Sequence, residues 1–210
     1  MKRILLGGVL ALSAATALAQ GFFIDGSIGQ MKAKLNNTAG FNVDNKDTSF
    51  SAGGGYMFNR YIGGEVGYRD LGEVSSSATA TFANARILGA TVTGTGTLTV
   101  RGSTDGFYIG PVFKAPVHEN FDLVGRFGWY RSETPVTAGV SFVGTINGAA
   151  VAANGSASKT FKHTDPYWGV GGTYNFNKNV GLGLEYSRYK LGGDIDTKID
   201  VWSTRLTYRF

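Results

Sequence analysis

Hydrophobic and polar residues alternate in a series of short segments along most of the chain. Side chains on a β-strand point alternately to its two faces, so this alternation predicts strands with one apolar face. The segments are about ten residues long, which is the length that a tilted strand needs to cross a bilayer. The pattern predicts eight strands, over residues 22–31, 49–58, 61–71, 105–115, 121–130, 166–176, 180–189 and 201–210.

The connections between these segments alternate between short and long. The short ones, residues 59–60, 117–120 and 177–179, contain asparagines that favour tight turns. Short turns on one side and long loops on the other are typical of barrels that span an outer membrane. The sequence therefore predicts an all-β fold, an eight-stranded antiparallel up-and-down transmembrane β-barrel. Its long loops would cover residues 32–48, 72–104, 131–165 and 190–200.

Two of the long connections have an unusual composition. Residues 75–102 and 136–158 are rich in Ser, Thr, Ala, Gly and Val. Such a composition is compatible with a flexible low-complexity loop. However, parts of it alternate, as in Thr91-Val92-Thr93, and this favours strand extensions that stand above the membrane as hairpins for part of each segment.

The two faces of the predicted strands differ in chemistry. On one face, aromatic residues gather towards the strand ends with smaller residues between them, which is the pattern of a lipid-facing surface with two aromatic girdles. The opposite face is small and charged, as in Gly63, Glu65, Gly67 and Arg69. In the last strand the lipid-facing set comprises Trp202, Leu206, Tyr208 and Phe210.

Charged residues at the inward positions form a set of four acids and four bases. Two interpretations remain open, a buried ion-pair network that plugs the lumen and a charged lining of a narrow pore. An eight-stranded barrel has an interior only wide enough for side chains, which favours the plug. The candidate lumen residues are Asp25, Glu65, Arg69, Asp122, Arg126, Glu185, Arg205 and Arg209.

The first residues have the three parts of a secretory signal peptide. Met1-Lys2-Arg3 is charged, residues 4–18 are apolar, and Ala17-Leu18-Ala19 is a small-x-small cleavage site. The apolar stretch is shorter than the ~20 residues of a membrane helix. We therefore expect residues 1–19 to be removed on export, leaving residues 20–210 as one barrel domain.

Composition limits the other function classes. The chain has no cysteine and its two histidines, His118 and His163, are far apart, so we expect no metal and no cofactor. The net charge of +5 forms no basic run that would indicate nucleic-acid binding. Among enzyme classes, a lipid A-modifying site built on His163, Asp165 and loop serines is the alternative, but a single outer histidine favours a non-enzymatic protein.

The outer end of the seventh predicted strand carries two cations, Arg188 and Lys190. Cations at this height would contact the phosphates of lipopolysaccharide. Ordinary snorkelling of long side chains at a membrane interface explains them equally well.

Four stretches resemble the small outer-membrane β-barrels of the OmpA and OmpX type. They are the terminal Tyr208-Arg209-Phe210, Glu65-Val66-Gly67-Tyr68, residues 121–128 and Leu184-Glu185-Tyr186. The resemblance covers most of the chain after the leader except the two longest loops, and includes no peptidoglycan-binding domain.

The resemblance implies a monomer in the outer membrane of a Gram-negative bacterium, in contact with membrane lipids and lipopolysaccharide. It also implies that the assembly machinery recognises the last strand, and that the lumen holds a salt-bridge network. Val112 and Thr173 depart from the family pattern, since a lumen Lys and Glu are expected there.

Overall fold

The structure is a computed structural model that describes residues 21–34, 42–44, 46–192 and 197–210. The predicted signal peptide, residues 1–19, lies outside these residues. Within them, no helix is long and apolar enough to cross a membrane. The strands are β1 Phe22–Lys34, β2 Asn42–Asp44, β3 Lys46–Met57, β4 Ile62–Ile87, β5 Ala90–His118, β6 Phe121–Ile146, β7 Ala149–Asn175, β8 Val180–Leu191 and β9 Thr197–Arg209.

Eight of these strands form a closed ring. The hydrogen-bonded order is β4-β3-β1-β9-β8-β7-β6-β5, and β5 pairs again with β4. All of these pairings are antiparallel. A closed ring satisfies the backbone of every strand, as the interior of a bilayer requires. The predicted all-β, eight-stranded barrel is confirmed, and the short β2 lies outside the ring, paired with Ser75–Ser77 of β4.

Residues 72–104 and 131–165 are mostly strand, so the prediction that they are long loops is wrong. The four strands β4 to β7 contain 26, 29, 26 and 27 residues. They turn at Leu88-Gly89 and Asn147-Gly148, where φ is 50°, 84°, 50° and 81°. Two consecutive residues with positive φ make the tight hairpin turn that matches the twist of the strands. The hairpin extensions expected for part of each segment are confirmed and are longer than expected.

These extensions form a four-stranded sheet above the ring, residues 73–103 and 133–164, which we call the outer sheet. β7 pairs with β8 only from Tyr167 onwards, so among the described strands residues 149–166 of β7 pair with β6 alone. A register shift lies between Asp70 and Glu73, where Gly72 has a φ of +85°. A bulge of this kind bends a sheet. It marks the boundary between the ring and the outer sheet.

The outward face of the ring is apolar and is bounded by two belts of aromatic pairs. Near the tight turns, the ring centroids of Phe22 and Tyr56 are 4.8 Å apart and those of Tyr208 and Phe210 are 5.1 Å apart. At the opposite end, Tyr186 packs against Trp202 at 5.2 Å. Leu184 and Leu206, 67% and 55% exposed, lie between the belts. This is the surface that an outer-membrane barrel presents to lipid.

Candidate functional site

The centre of the lumen contains a chain of ion pairs. Arg126 donates from Nε to Oε2 of Glu65 at 2.9 Å, and from Nη1 to Glu185. Arg205 donates to Oε1 of Glu185 at 3.1 Å and to Oδ1 of Asp25. All five residues are buried. We call Asp25, Glu65, Arg126, Glu185 and Arg205 the ionic layer. Because an unpaired charge is costly in a low dielectric, this pairing is what allows the charges to be buried.

Four tyrosines lie next to the ionic layer, towards the outer sheet. Tyr167 stacks on Tyr189 with ring centroids 5.3 Å apart, and Tyr108 and Tyr130 make edge contacts with these two rings. The hydroxyl of Tyr167 donates to Oε1 of Glu65 at 3.0 Å, which connects the two layers. The sequence analysis missed these tyrosines. Their positions follow the parity of the inward charges, as Tyr130 does with Arg126, but aromatic residues were assigned only to the lipid face.

We call Tyr108, Tyr130, Tyr167 and Tyr189 the tyrosine layer. Arg69 lies in this layer, apart from the ionic layer. Its Nη2 donates to the hydroxyls of Ser27 and Ser51, both at 3.2 Å, and its guanidinium lies 5.4 Å from the ring centroid of Tyr189. Among the described residues, no carboxylate lies within ion-pair distance of Arg69. Beyond it the buried side chains are apolar ones, Met31, Leu71, Ile199 and Val201 at most 3% exposed, together with small polar ones such as Ser49 and Ser132.

Asp122 and Arg209 lie at the other end of the lumen, beside the tight turns. Asp122 pairs with Nζ of Lys114 at 2.9 Å and accepts a hydrogen bond from Nδ2 of Asn175 at 2.7 Å. Arg209 donates to Oδ1 of the same asparagine at 2.8 Å. The eight candidate lumen residues are therefore divided between three levels. Lys114, which the sequence analysis missed, has the inward parity of Val112 on the same strand.

A cavity of about 620 Å³ lies between the ionic layer and the tight turns. Val112 and Thr173, the two departures from the family pattern, both line it. These side chains are smaller than the Lys and Glu expected there, so part of the lumen stays open below the ionic layer.

Arg188 lies at the outer rim and makes a two-point contact with Asp200. Its Nε is 2.6 Å from Oδ1 and its Nη2 is 3.1 Å from Oδ2 of that aspartate. It also donates to the hydroxyl of Tyr186 at 2.7 Å. Lys190, the second predicted contact for lipopolysaccharide, is exposed and lies opposite Lys198 in the register of β8 and β9.

The residues of the alternative enzyme site do not form a catalytic arrangement in the described structure. Asp165 accepts a hydrogen bond from the backbone N–H of Gly192 at 2.8 Å. No hydrogen bond between His163 and a carboxylate or a serine hydroxyl is found in the described part of the chain. Across all the residues that the structure describes, no group of three or more His, Asp or Glu side chains is arranged to hold a metal ion.

Residues 4–210 match the family model of the outer membrane protein beta-barrel domain. The chain belongs to this family. The resemblance to small outer-membrane barrels is thereby confirmed. The match begins inside the predicted signal peptide, and the cleavage of residues 1–19 remains a prediction.

Several solved structures are similar to this chain over nearly their whole length. The attachment invasion locus protein Ail of Yersinia pestis is 18% identical, with a TM-score of 0.47 over 90% of this chain and 99% of its own. OprG of Pseudomonas aeruginosa is 14% identical, with a TM-score of 0.45 over 90% and 96%. Neisserial surface protein A is 12% identical, with a TM-score of 0.45 over 91% and 99%. No curated protein sequence matches the chain.

Proposed function

We propose that the protein is a non-enzymatic outer-membrane barrel with a lumen closed by its own side chains and an outer sheet that binds a partner at the cell surface. The observation that carries this proposal is the contrast between a filled ring and an open sheet on the same strands. The ionic layer, the tyrosines and the apolar residues follow one another along the axis. In the described outer sheet, every side chain except that of Val92 is half-buried or exposed.

The closed lumen is supported by the pairing and the burial of its charges. Ions pass a pore only where binding is weak enough to release them, and buried charges that pair with one another across the lumen favour a closed path. In a planar bilayer, the folded barrel should give no reproducible open-channel steps. Steps that recur in independent preparations would favour the alternative of a narrow pore.

The outer sheet is supported as a binding surface by its lumen-side face and its edge. Val100, Val140 and Phe142 share the side that continues the lumen, and Val140 is 56% exposed. Exposed apolar patches and free strand edges are both surfaces on which partners bind. Residues 149–166 of β7 supply such an edge.

The test is a variant in which residues 75–102 and 136–158 are each replaced by Asn-Gly, which keeps tight hairpin turns. This variant should no longer bind the partner of the outer sheet, while its ring still folds. Resistance to unfolding in detergent reports whether the ring is folded. The control carries only Leu88→Asn, which makes the first turn Asn-Gly like Asn147-Gly148 and leaves the sheet in place. Equal binding by both variants would contradict the proposal.

We also propose that the outer rim binds the phosphates of lipopolysaccharide, through more residues than Arg188 and Lys190. In the register, Lys46, Lys32, Asp200 and Arg188 form a row across four strands. This row lies one step above Trp202, which with Ile28 and Leu184 lines a lipid-facing groove of about 450 Å³. Arg188 pairs with Asp200, and Lys32 and Lys46 are exposed cations of the same row.

This second proposal has a charge-matched test. A variant carrying Lys32→Gln and Lys46→Gln should bind lipid A roughly tenfold more weakly in nonionic detergent, given the strength of charge-assisted contacts. The control carries Arg86→Gln and Arg101→Gln, which remove the same charge from the outer sheet. If the control loses as much affinity for lipid A, the loss follows from net charge and not from the outer rim.

The assembly machinery is the partner proposed for the last strand, on the basis of Trp202, Leu206, Tyr208 and Phe210. Their alternation along β9 exposes Trp202 and Tyr208 by 66% and 44%. For the remaining alternative, modification of lipid A, a deletion strain should have an unchanged lipid A mass spectrum. A changed spectrum would return His163 to the list of catalytic candidates.

A further inference from the structure

The cavity at the end of the lumen beside the tight turns has the size of a ligand site. Its volume of about 620 Å³ falls within the ~300–1,000 Å³ of small-molecule pockets. The turns at residues 59–60 and 177–179 lie at this end, as does Phe210, so it opens to the periplasm in an outer-membrane barrel. The ionic layer closes its other end.

Positive charge dominates the lining of this cavity. The cations that line it are Arg60, Lys114, Arg126, Lys178 and Arg209. The described lining residues include no Asp and no Glu. Two of these charges are balanced from behind, since Arg126 pairs with acids of the ionic layer and Lys114 pairs with Asp122. The cavity keeps an excess of cations.

Arg209 is the cation whose environment most clearly requires an anion. It is half-buried, and its hydrogen-bond partner is the neutral amide of Asn175 at 2.8 Å. Within the described residues, no carboxylate lies at ion-pair distance from it. The hydroxyl-bearing Thr173 and Thr207 line the same space. A guanidinium with hydroxyl groups nearby provides the donors that a phosphate or carboxylate accepts.

The remaining walls are apolar and extend over the rim of the barrel. Phe23 and Val112 face the lumen and are buried, whereas Phe58, 69% exposed, belongs to the aromatic belt on the lipid face. The lining therefore joins the interior of the barrel to the level at which inner-leaflet headgroups lie. A ligand with a charged head and an apolar chain would match both parts.

We propose that this cavity binds an anionic amphiphile, with its phosphate or carboxylate held by Arg209 and the hydroxyl groups of Thr173 and Thr207. The apolar chain packs against Phe23 and passes over the rim beside Phe58. The site lies at the opposite end of the lumen from the outer sheet and shares no residue with it. The headgroup chemistry is shared by an inner-leaflet lipid and by a free phosphate, and the experiment separates these two sources.

The experiment uses the folded full barrel in nonionic detergent and native mass spectrometry. The probes are lysophosphatidylglycerol, its uncharged analogue monoacylglycerol, and inorganic phosphate. Lysophosphatidylglycerol should form a one-to-one complex. Arg209→Gln should weaken it roughly tenfold, because a hydrogen-bonded charge pair is lost, and Arg101→Gln, an equal charge change on the outer sheet, should leave it unchanged.

A second variant tests the cavity without changing charge. Val112→Phe fills the space below the ionic layer and should also weaken the complex, provided that the variant resists unfolding as the parent does. If inorganic phosphate displaces the amphiphile at equal concentration, the headgroup alone is the ligand. Equal binding of monoacylglycerol, equal complexes in Arg209→Gln and Arg101→Gln, or no complex at all would overturn the proposal.

Discussion

The ring and the outer sheet are parts of the same strands, yet their faces have opposite polarity. On β5, Ile109 faces outward in the ring and Tyr108 faces the lumen. Further along the same strand, Thr97 and Thr99 take the outward positions, while Leu98 takes the lumen side. The strand keeps its alternation but exchanges the chemistry of its two faces near the rim.

This exchange follows the change of solvent outside the barrel. Lipid surrounds the ring, so apolar side chains face outward and the polar groups must find partners inside. Water surrounds the outer sheet, so threonines cover the outward face and apolar side chains take the other one. The comparison teaches that the inward charge of Arg126 depends on closure, because its partners Glu65 and Glu185 lie on β4 and β8, which do not neighbour β6.

The largest effect is expected from Arg126→Ala, which leaves Glu65 and Glu185 without their shared partner. Removing one member of a buried ion pair costs about 3–5 kcal/mol. Urea unfolding of the barrel in lipid vesicles should show this loss. Arg101→Ala, an exposed site on the outer sheet, is the control. Equal stability of the two variants would mean that closure does not make the inward charges interdependent.

The next effect tests the change of solvent directly. Leu184→Lys places a charge on the lipid face between the aromatic belts and should cost about 2–4 kcal/mol near the bilayer midplane. Thr95→Lys makes the same charge change at an exposed position on the outward face of the outer sheet and should fall within about 0.5 kcal/mol of the parent. A comparable loss in both variants would place the outer sheet in lipid as well.

The smallest effect concerns an ion pair outside the ring. Lys162 Nζ lies 2.6 Å from Oε1 of Glu133, and the two side chains are 57% and 50% exposed. Exposed pairs contribute little because water and salt screen them. Lys162→Ala should change stability in the same unfolding measurement by less than about 0.5 kcal/mol. If Lys162→Ala lowers stability as much as Arg126→Ala does, ion pairs in the outer sheet and in the ring do not differ in their contribution to stability.

The ring was predictable from the sequence because lipid imposes a strict rule on each strand. Period-two alternation, the tight turns and the inward charges each follow from that rule, and the strand positions differ from the predicted ones mainly at the outer ends. The pairing of Glu185 with Arg205 was accessible because the two residues lie on neighbouring strands. Tyr108, Tyr130, Tyr167 and Tyr189 were accessible by parity but were overlooked.

The outer sheet was less predictable because its composition resembles that of a loop. Ser, Thr, Gly and Ala do not by themselves distinguish a strand in water from a flexible segment. The feature that favoured strands was alternation in parts of the segment, as in Thr91-Val92-Thr93 and Thr97-Leu98-Thr99-Val100. The position of Arg69 apart from the ionic layer was also beyond the sequence, since it depends on the relative heights of non-neighbouring strands.

The tight turns at Leu88-Gly89 and Asn147-Gly148 determine how far the protein reaches. A strand rises about 3.3 Å per residue, so the outer part of β5, residues 90–103, spans on the order of 40 Å. The turns therefore lie at the ends of hairpins whose outer parts are longer than the ~25 Å apolar band of a membrane barrel. In the orientation proposed above, with the outer sheet outside the cell, antibodies, phage and neighbouring cells would meet these turns before they meet the membrane.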